Sequence, residues 1–233
     1  MNVGLTVDLS GSVKELSNLC QLLKKYGVTA TFFVSGRACR KELVAPLVNE
    51  GHEIANHTDT HPADLTQLPI EQQREEITKA HEAIIKICGQ HSKTTQPRGF
   101  RSPYYAFHES IIGILSELGY CWDSSKAFFP ALSKPFRAET YGTIVEIPSL
   151  FPDDSTLLNK LHLEPDNVKN LWIEAFQTSK EYFVWGVHPY VIARDTERLS
   201  LLEAFLCHLL DSRAEFMSLS DMAGSLASAS PAQ

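Results

Sequence analysis

The chain has 233 residues, 43% of them hydrophobic, and carries 21 Lys and Arg against 28 Asp and Glu for a net charge of −7. It has no basic run, which argues against a nucleic acid or an anionic membrane surface as a partner. No apolar run approaches the length of a membrane span and no signal peptide is visible, so the chain reads as cytoplasmic. The five cysteines, Cys20, Cys39, Cys88, Cys121 and Cys207, include no C-x-x-C pair. Their odd number and scatter fit a reducing compartment.

The length suits one domain, expected over residues 1–224, followed by a polar, small-residue tail (225–233) that reads as disordered. Val3 to Val7 is an apolar strand ending at Asp8. Ser12 is placed to cap a helix carrying Val13, Leu16, Leu19, Leu22 and Leu23 at helical spacing, closed by Gly27. Residues 29–34 form a β-branched and aromatic strand. A helix is expected over 41–49 despite Pro46, then a strand over 52–56. Residues 70–88 make the longest helix, with Glu71, Glu75 and Glu76 near its start, where the macrodipole favours acids. Short strands follow at 98–101, 120–122 and 143–147, with a helix at 110–118 and a long loop at 126–142. A helix at 166–180, a strand at 182–187, a helix at 196–210 and a last strand at 215–219 complete the chain.

Strands and helices alternate with short connections, which predicts parallel strands with helices outside, as a doubly wound sheet or a closed barrel. Ligands then bind at the carboxyl ends of the strands. The residues closing the strands are Asp8, His57, Arg101, Asp123 and His188. His57-Thr58-Asp59-Thr60-His61 places two imidazoles four residues apart. They can meet one ion on a helical turn or along an extended segment. Neutral imidazole is a good ligand for zinc, nickel or cobalt.

These positions resemble the polysaccharide deacetylase family, also called the NodB-homology or carbohydrate esterase family 4. The family's T-F-D-D motif appears as Thr6-Val7-Asp8-Leu9, and its H-[ST]-x-x-H motif is intact at His57 to His61. R-x-P-[YF] is intact at Arg101-Ser102-Pro103-Tyr104. The fourth motif is approximated by Trp122-Asp123-Ser124, and the fifth by Val187-His188-Pro189. The resemblance covers residues 3–222. It implies an α/β fold, a distorted (β/α) barrel of about seven parallel strands, and hydrolysis of a non-peptide C–N bond in an N-acetylated sugar or related small amide. By the same resemblance Asp8 is the general base and His188 the general acid. Arg101 holds Asp8, Asp123 orients His188, and the backbone N–H of Tyr104 binds the oxyanion. His57 and His61 hold a divalent metal, zinc, nickel or cobalt.

The chain departs from the family at Leu9, where the metal-binding second aspartate falls, and the alternative D-x-D spacing meets Ser10. Three outcomes stay open. Asp8, Asp59, Asp153 or Asp154 completes the ligand set; the enzyme works without a metal, as a cyclic imide or ureide (allantoinase-like) hydrolase; or the chain is a catalytically silent carbohydrate-binding relative. A small-molecule or carbohydrate substrate is the expected partner, and a homo-oligomer is open.

Overall fold

The computed structural model describes residues 1–10, 12–89, 96–129 and 138–229. Strand β1 (Asn2–Asp8) is paired on both sides, in parallel with β10 (Tyr182–Val187) and with β2 (Thr31–Val34). The parallel run continues through β3 (Glu53–Asn56), β4 (Gly99–Phe100), β5 (Trp122–Asp123) and β8 (Ile144–Glu146). Seven parallel strands thus stand in the order β10-β1-β2-β3-β4-β5-β8, and β7 (Glu139–Tyr141) is added antiparallel at the β8 edge. Strand β11 (Glu215–Phe216) pairs with the first residues of β1. A separate pair, β6 (Ala127–Phe128) and β9 (Ser149–Leu150), lies within the region expected as a loop and just beyond it. Pro130 and Pro135 of that loop fall outside the described residues. The sheet curls as an open, distorted barrel: among the described residues no ladder joins β7 to β10.

The helices α1 (Val13–Tyr26), α2 (Lys41–Asn49), α3 (Ile70–Cys88), α4 (Glu109–Glu117), α5 (Pro165–Thr178), the short α6 (Pro189–Ile192) and α7 (Thr196–Asp211) follow their strands. Helix α1 begins as the sequence suggests: Ser12 and Glu15 form a reciprocal capping box, and Gly27 ends it in the left-handed conformation at φ 66°. Strand alternation sets the faces. Val3, Leu5, Val7 and Leu9 join the large apolar cluster with Leu16, Leu19, Leu23 and Phe205, on the helix side. Gly4, Thr6 and Asp8 therefore face the concave side.

The end of the chain differs from expectation. It is helical from Leu219 to Ala229 (α8), not a strand to Leu219 followed by disorder from Ser225. Leu219, Met222, Ala223 and Leu226 recur at helical spacing and pack against Phe33, Ala55, Trp122, Val145 and Val184. Helix α8 thereby fills the concave side of the sheet below the strand ends. Glu53 fixes its start, bonding the Ser220 hydroxyl and, at 3.3 Å, the Ser220 N–H. No helix among the described residues is long and apolar enough to cross a membrane.

Candidate active site

Asp8 leaves β1 on the concave side, and three cationic or titratable side chains surround it. Arg101 Nη1 donates to Asp8 Oδ1 at 2.9 Å; His57 Nε2 and His188 Nε2 lie 3.9 and 3.8 Å from Asp8 Oδ2. Arg101, expected on a strand end, lies just past β4 and is 1% exposed. Its guanidinium is bonded on all sides: Nε to Ser124 O, Nη2 to Ser124 Oγ, and Nη1 also to Thr6 Oγ1. Its plane rests 4.1 Å from the centroid of Phe33. Burial alone raises the Asp8 carboxyl, but Arg101, His57 and His188 outweigh it and hold Asp8 down at about 2.

His57 is oriented by the chain itself. Its Nδ1 bonds the Arg101 carbonyl at 2.8 Å, which places the proton on Nδ1 and leaves Nε2 as a lone pair toward Asp8. Burial, only partly offset by Asp8, lowers His57 to about 4, so the ring is neutral. His61 is also lowered by burial, and its ring stands 4.9 Å from that of His57. The loop between them is neither helical nor extended. Thr58 and His61 have φ of 64° and 59°, in the left-handed region that a β-branched residue rarely enters. Hydrogen bonds hold this strained turn. Glu76 accepts from the N–H of Asp59 and Thr60 and from the Thr60 hydroxyl, while Asn56 Oδ1 accepts from the Thr58 N–H. Glu76 is legible in the sequence only as a helix-start acid.

The next motif is bent likewise. Tyr104 and Tyr105 both have φ of 56°, and Tyr104, 66% exposed, sets its ring 5.2 Å from that of His61.

His188 follows β10 and begins α6. The carboxylate on its Nδ1 is Asp154, at 2.7 Å; the other Asp154 oxygen takes the His188 backbone N–H at 2.8 Å. Burial pushes the His188 ring down, but Asp154, with help from Asp8, outweighs it and raises the ring to about 9. Asp154 itself is pushed up by burial and down by His188. Both members of the pair thus favour keeping a proton between them, and it sits on Nδ1.

Asp123, expected in the Asp154 role, lies elsewhere. Trp122 occupies the concave side with Phe33 and α8, so period-two alternation turns Asp123 to the opposite face. There it accepts from Ser125 Oγ at 2.6 Å and pairs in register with Glu146. The sequence hid Asp154 because its loop is irregular: Asp153 caps a π-helical turn, Thr156–Lys160, by accepting from Thr156 N–H.

The donor chemistry around His57 suits a divalent ion in part. Two neutral imidazoles, one locked by a carbonyl on its far nitrogen, are good ligands, and Asp8 Oδ2 stands 3.9 Å from His57 Nε2. Leu9 supplies nothing, being 7% exposed in the apolar cluster. Of the other candidates, Asp59 lies over Gly36, where an added Cβ would stand 2.2 Å from Asp59 Oδ1, and Asp153 and Asp154 are engaged as described. Among the described residues, one group of three potential ligands has all donor atoms within 4.8 Å of one another: Cys20, Glu50 and His52, away from Asp8. It suits a metal poorly. His52 Nδ1 accepts the Ala30 N–H at 3.2 Å, which puts the ring proton on Nε2, and burial pushes the Cys20 thiol up to about 12.

A family model described as polysaccharide deacetylase matches residues 2–121, more than half of the chain. The chain belongs to the polysaccharide deacetylase family. The matched span holds Asp8, His57, His61, Arg101 and Tyr104; His188 and Asp154 lie beyond it. Within the family, the chain is 36% identical over 104 residues to a chitooligosaccharide deacetylase of Bradyrhizobium sp. (strain ANU 289), covering 44% of this chain and 45% of that one. It is 35% identical over 101 residues to the peptidoglycan-N-acetylmuramic acid deacetylase PdaA of Bacillus subtilis (strain 168), covering 42% and 36%. These matches span less than half the length of either relative. A crystal structure described as a putative polysaccharide deacetylase from Mycobacterium smegmatis superposes with a TM-score of 0.76 over 93% of this chain and 78% of that one, at 21% identity. The polysaccharide deacetylase fold therefore extends past the matched segment to β10 and the His188 turn.

Proposed function

We propose that this chain is a deacetylase that hydrolyses the amide C–N bond of an N-acetylated saccharide or related small amide. The observation that carries the reading is Asp8 standing between Arg101, His57 and a His188 that Asp154 keeps protonated. Asp8, ionised at every ordinary pH, accepts the proton of the attacking water. The carbonyl oxygen becomes an oxyanion against the backbone N–H of Tyr104. His188 then passes its Nε2 proton to the departing nitrogen as the C–N bond breaks, leaving amine and acetate. Arg101 holds the Asp8 carboxylate in place through this exchange.

His57 and His61 are the residues that would hold a zinc, nickel or cobalt ion. Such an ion, when bound, polarises the acyl carbonyl and acidifies the water. With Leu9 in place of a second carboxylate, the ion exchanges readily. Leu9 also favours a second reading, metal-free hydrolysis of a cyclic imide or ureide.

The test is acetate release from an N-acetylglucosamine oligomer with and without added cobalt or zinc. Release is expected with metal, and Asp8→Asn lowers it by about 10²- to 10⁴-fold. A full rate after chelation selects the second reading. Saccharide binding without any turnover refutes both and leaves a silent relative.

A further inference from the structure

We propose that Asp123 and Glu146 form a hydrogen-bonded carboxyl pair that positions Arg101 and the Ser102 turn for Asp8. The two residues sit side by side on the neighbouring parallel strands β5 and β8, and both are fully buried. Asp123 Oδ1 accepts from Ser125 Oγ at 2.6 Å, and Ser125 Oγ accepts the Ser102 N–H at 2.8 Å. Glu146 Oε1 accepts the Lys126 N–H at 2.8 Å. The remaining oxygens, Asp123 Oδ2 and Glu146 Oε2, have no other partner among the described residues. Two carboxyl oxygens can bond each other only through a proton, so these two oxygens, at paired positions on adjacent strands, become each other's partner when one carboxyl stays protonated. Burial, then the Asp123 charge, keeps that proton in place well above the usual carboxyl range.

This pair clamps residues 125 and 126, and the residue before them carries the consequence. Ser124 gives Arg101 two acceptors, its carbonyl at 3.1 Å and its hydroxyl at 2.9 Å, and donates its own hydroxyl proton to Ile147 O at 2.7 Å. The Arg101 guanidinium in turn holds Asp8, and its carbonyl orients His57. Neither carboxyl touches the concave side, so both act through Arg101. The charges of Arg101 and Lys126 act on the pair, the Glu146 charge reaches Tyr182 of β10, and Glu139 of β7 is bonded to Lys126.

The catalytic readout rests on the deacetylase reading; the structural readout does not. The His57 Nδ1–H resonance reports the bond to the Arg101 carbonyl whether or not turnover occurs. In Glu146→Ala that resonance is expected to shift or vanish, and kcat to fall about 10- to 100-fold with KM nearly unchanged. Glu146→Gln restores both, because its amide donates to Asp123 and still accepts the Lys126 N–H. Titrated upward from about pH 6, the resonance moves in both proteins as His188 deprotonates near 9, and the natural protein shows a further movement, absent from Glu146→Gln, as the pair loses its proton. An unchanged His57 resonance in Glu146→Ala overturns the proposal. If that variant does not fold, a Glu146→Gln titration identical to that of the natural protein does the same. A natural protein with no turnover, but with these resonance changes, refutes the deacetylase reading and upholds the positioning pair.

Discussion

Asp154 grips His188 with both carboxylate oxygens, one on the ring nitrogen and one on the backbone N–H. This double contact fixes the imidazole in position and tautomer. It also predicts a pH profile. On the proposed mechanism the acid form of His188 is the active one, and Asp154 holds that form up to about 9. In Asp154→Asn the ring reverts toward its ordinary 6.5, so the proton leaves earlier and the alkaline limb of kcat/KM moves to lower pH. At pH 8 the loss is about tenfold or more. Rate profiles of the two proteins check this; an unmoved alkaline limb refutes it.

Arg101 is buried, with Asp8 its carboxylate partner. Removing the partner leaves an uncompensated buried cation. Asp8→Ala is expected to cost about 3 to 5 kcal/mol in urea unfolding. Asp8→Asn keeps an acceptor for Nη1 and costs less, while losing turnover just as fully. Equal stabilities of the two variants count against the assignment.

Two imidazoles without a second carboxylate hold an ion loosely. Brief chelation is expected to remove both bound metal and activity, and added cobalt or zinc to restore both. His57→Ala abolishes the recovery, as followed by elemental analysis beside the assay. A His57→Ala protein that still takes up stoichiometric metal places the ion elsewhere.

Gly99 sits under Trp122: a Cβ there would stand 1.9 Å from the indole. Gly99→Ala therefore forces Trp122 to move, with an expected loss of about 1 to 3 kcal/mol and a changed tryptophan emission. Unaltered melting and emission refute the contact.

The strands and helices that bury apolar rows were legible in the sequence, since period-two and helical patterns survive folding. So were the residues Asp8, His57, Arg101 and His188, because strand ends and motif spacing mark them. What escaped was set by non-local contacts. Asp154 comes from an irregular loop 34 residues before its partner. Asp123 looked apt until the alternation with Trp122 turned it to the far face. Helix α8 was hidden by its serines and alanines, though Leu219, Met222, Ala223 and Leu226 carried the spacing. Glu76 gave no sign that it would brace a strained turn.

Strand β1 takes its neighbours from opposite ends of the polypeptide: β2 about thirty residues on, and β10 and β11 some 180 and more. During synthesis the Asp8 end of β1 must wait, half-paired, until β10 and residue 188 have left the ribosome. The acidic residue at its tip meets His188 only then. The contact between Asp8 and His188 is thus assembled late, by loop closures of high entropic cost.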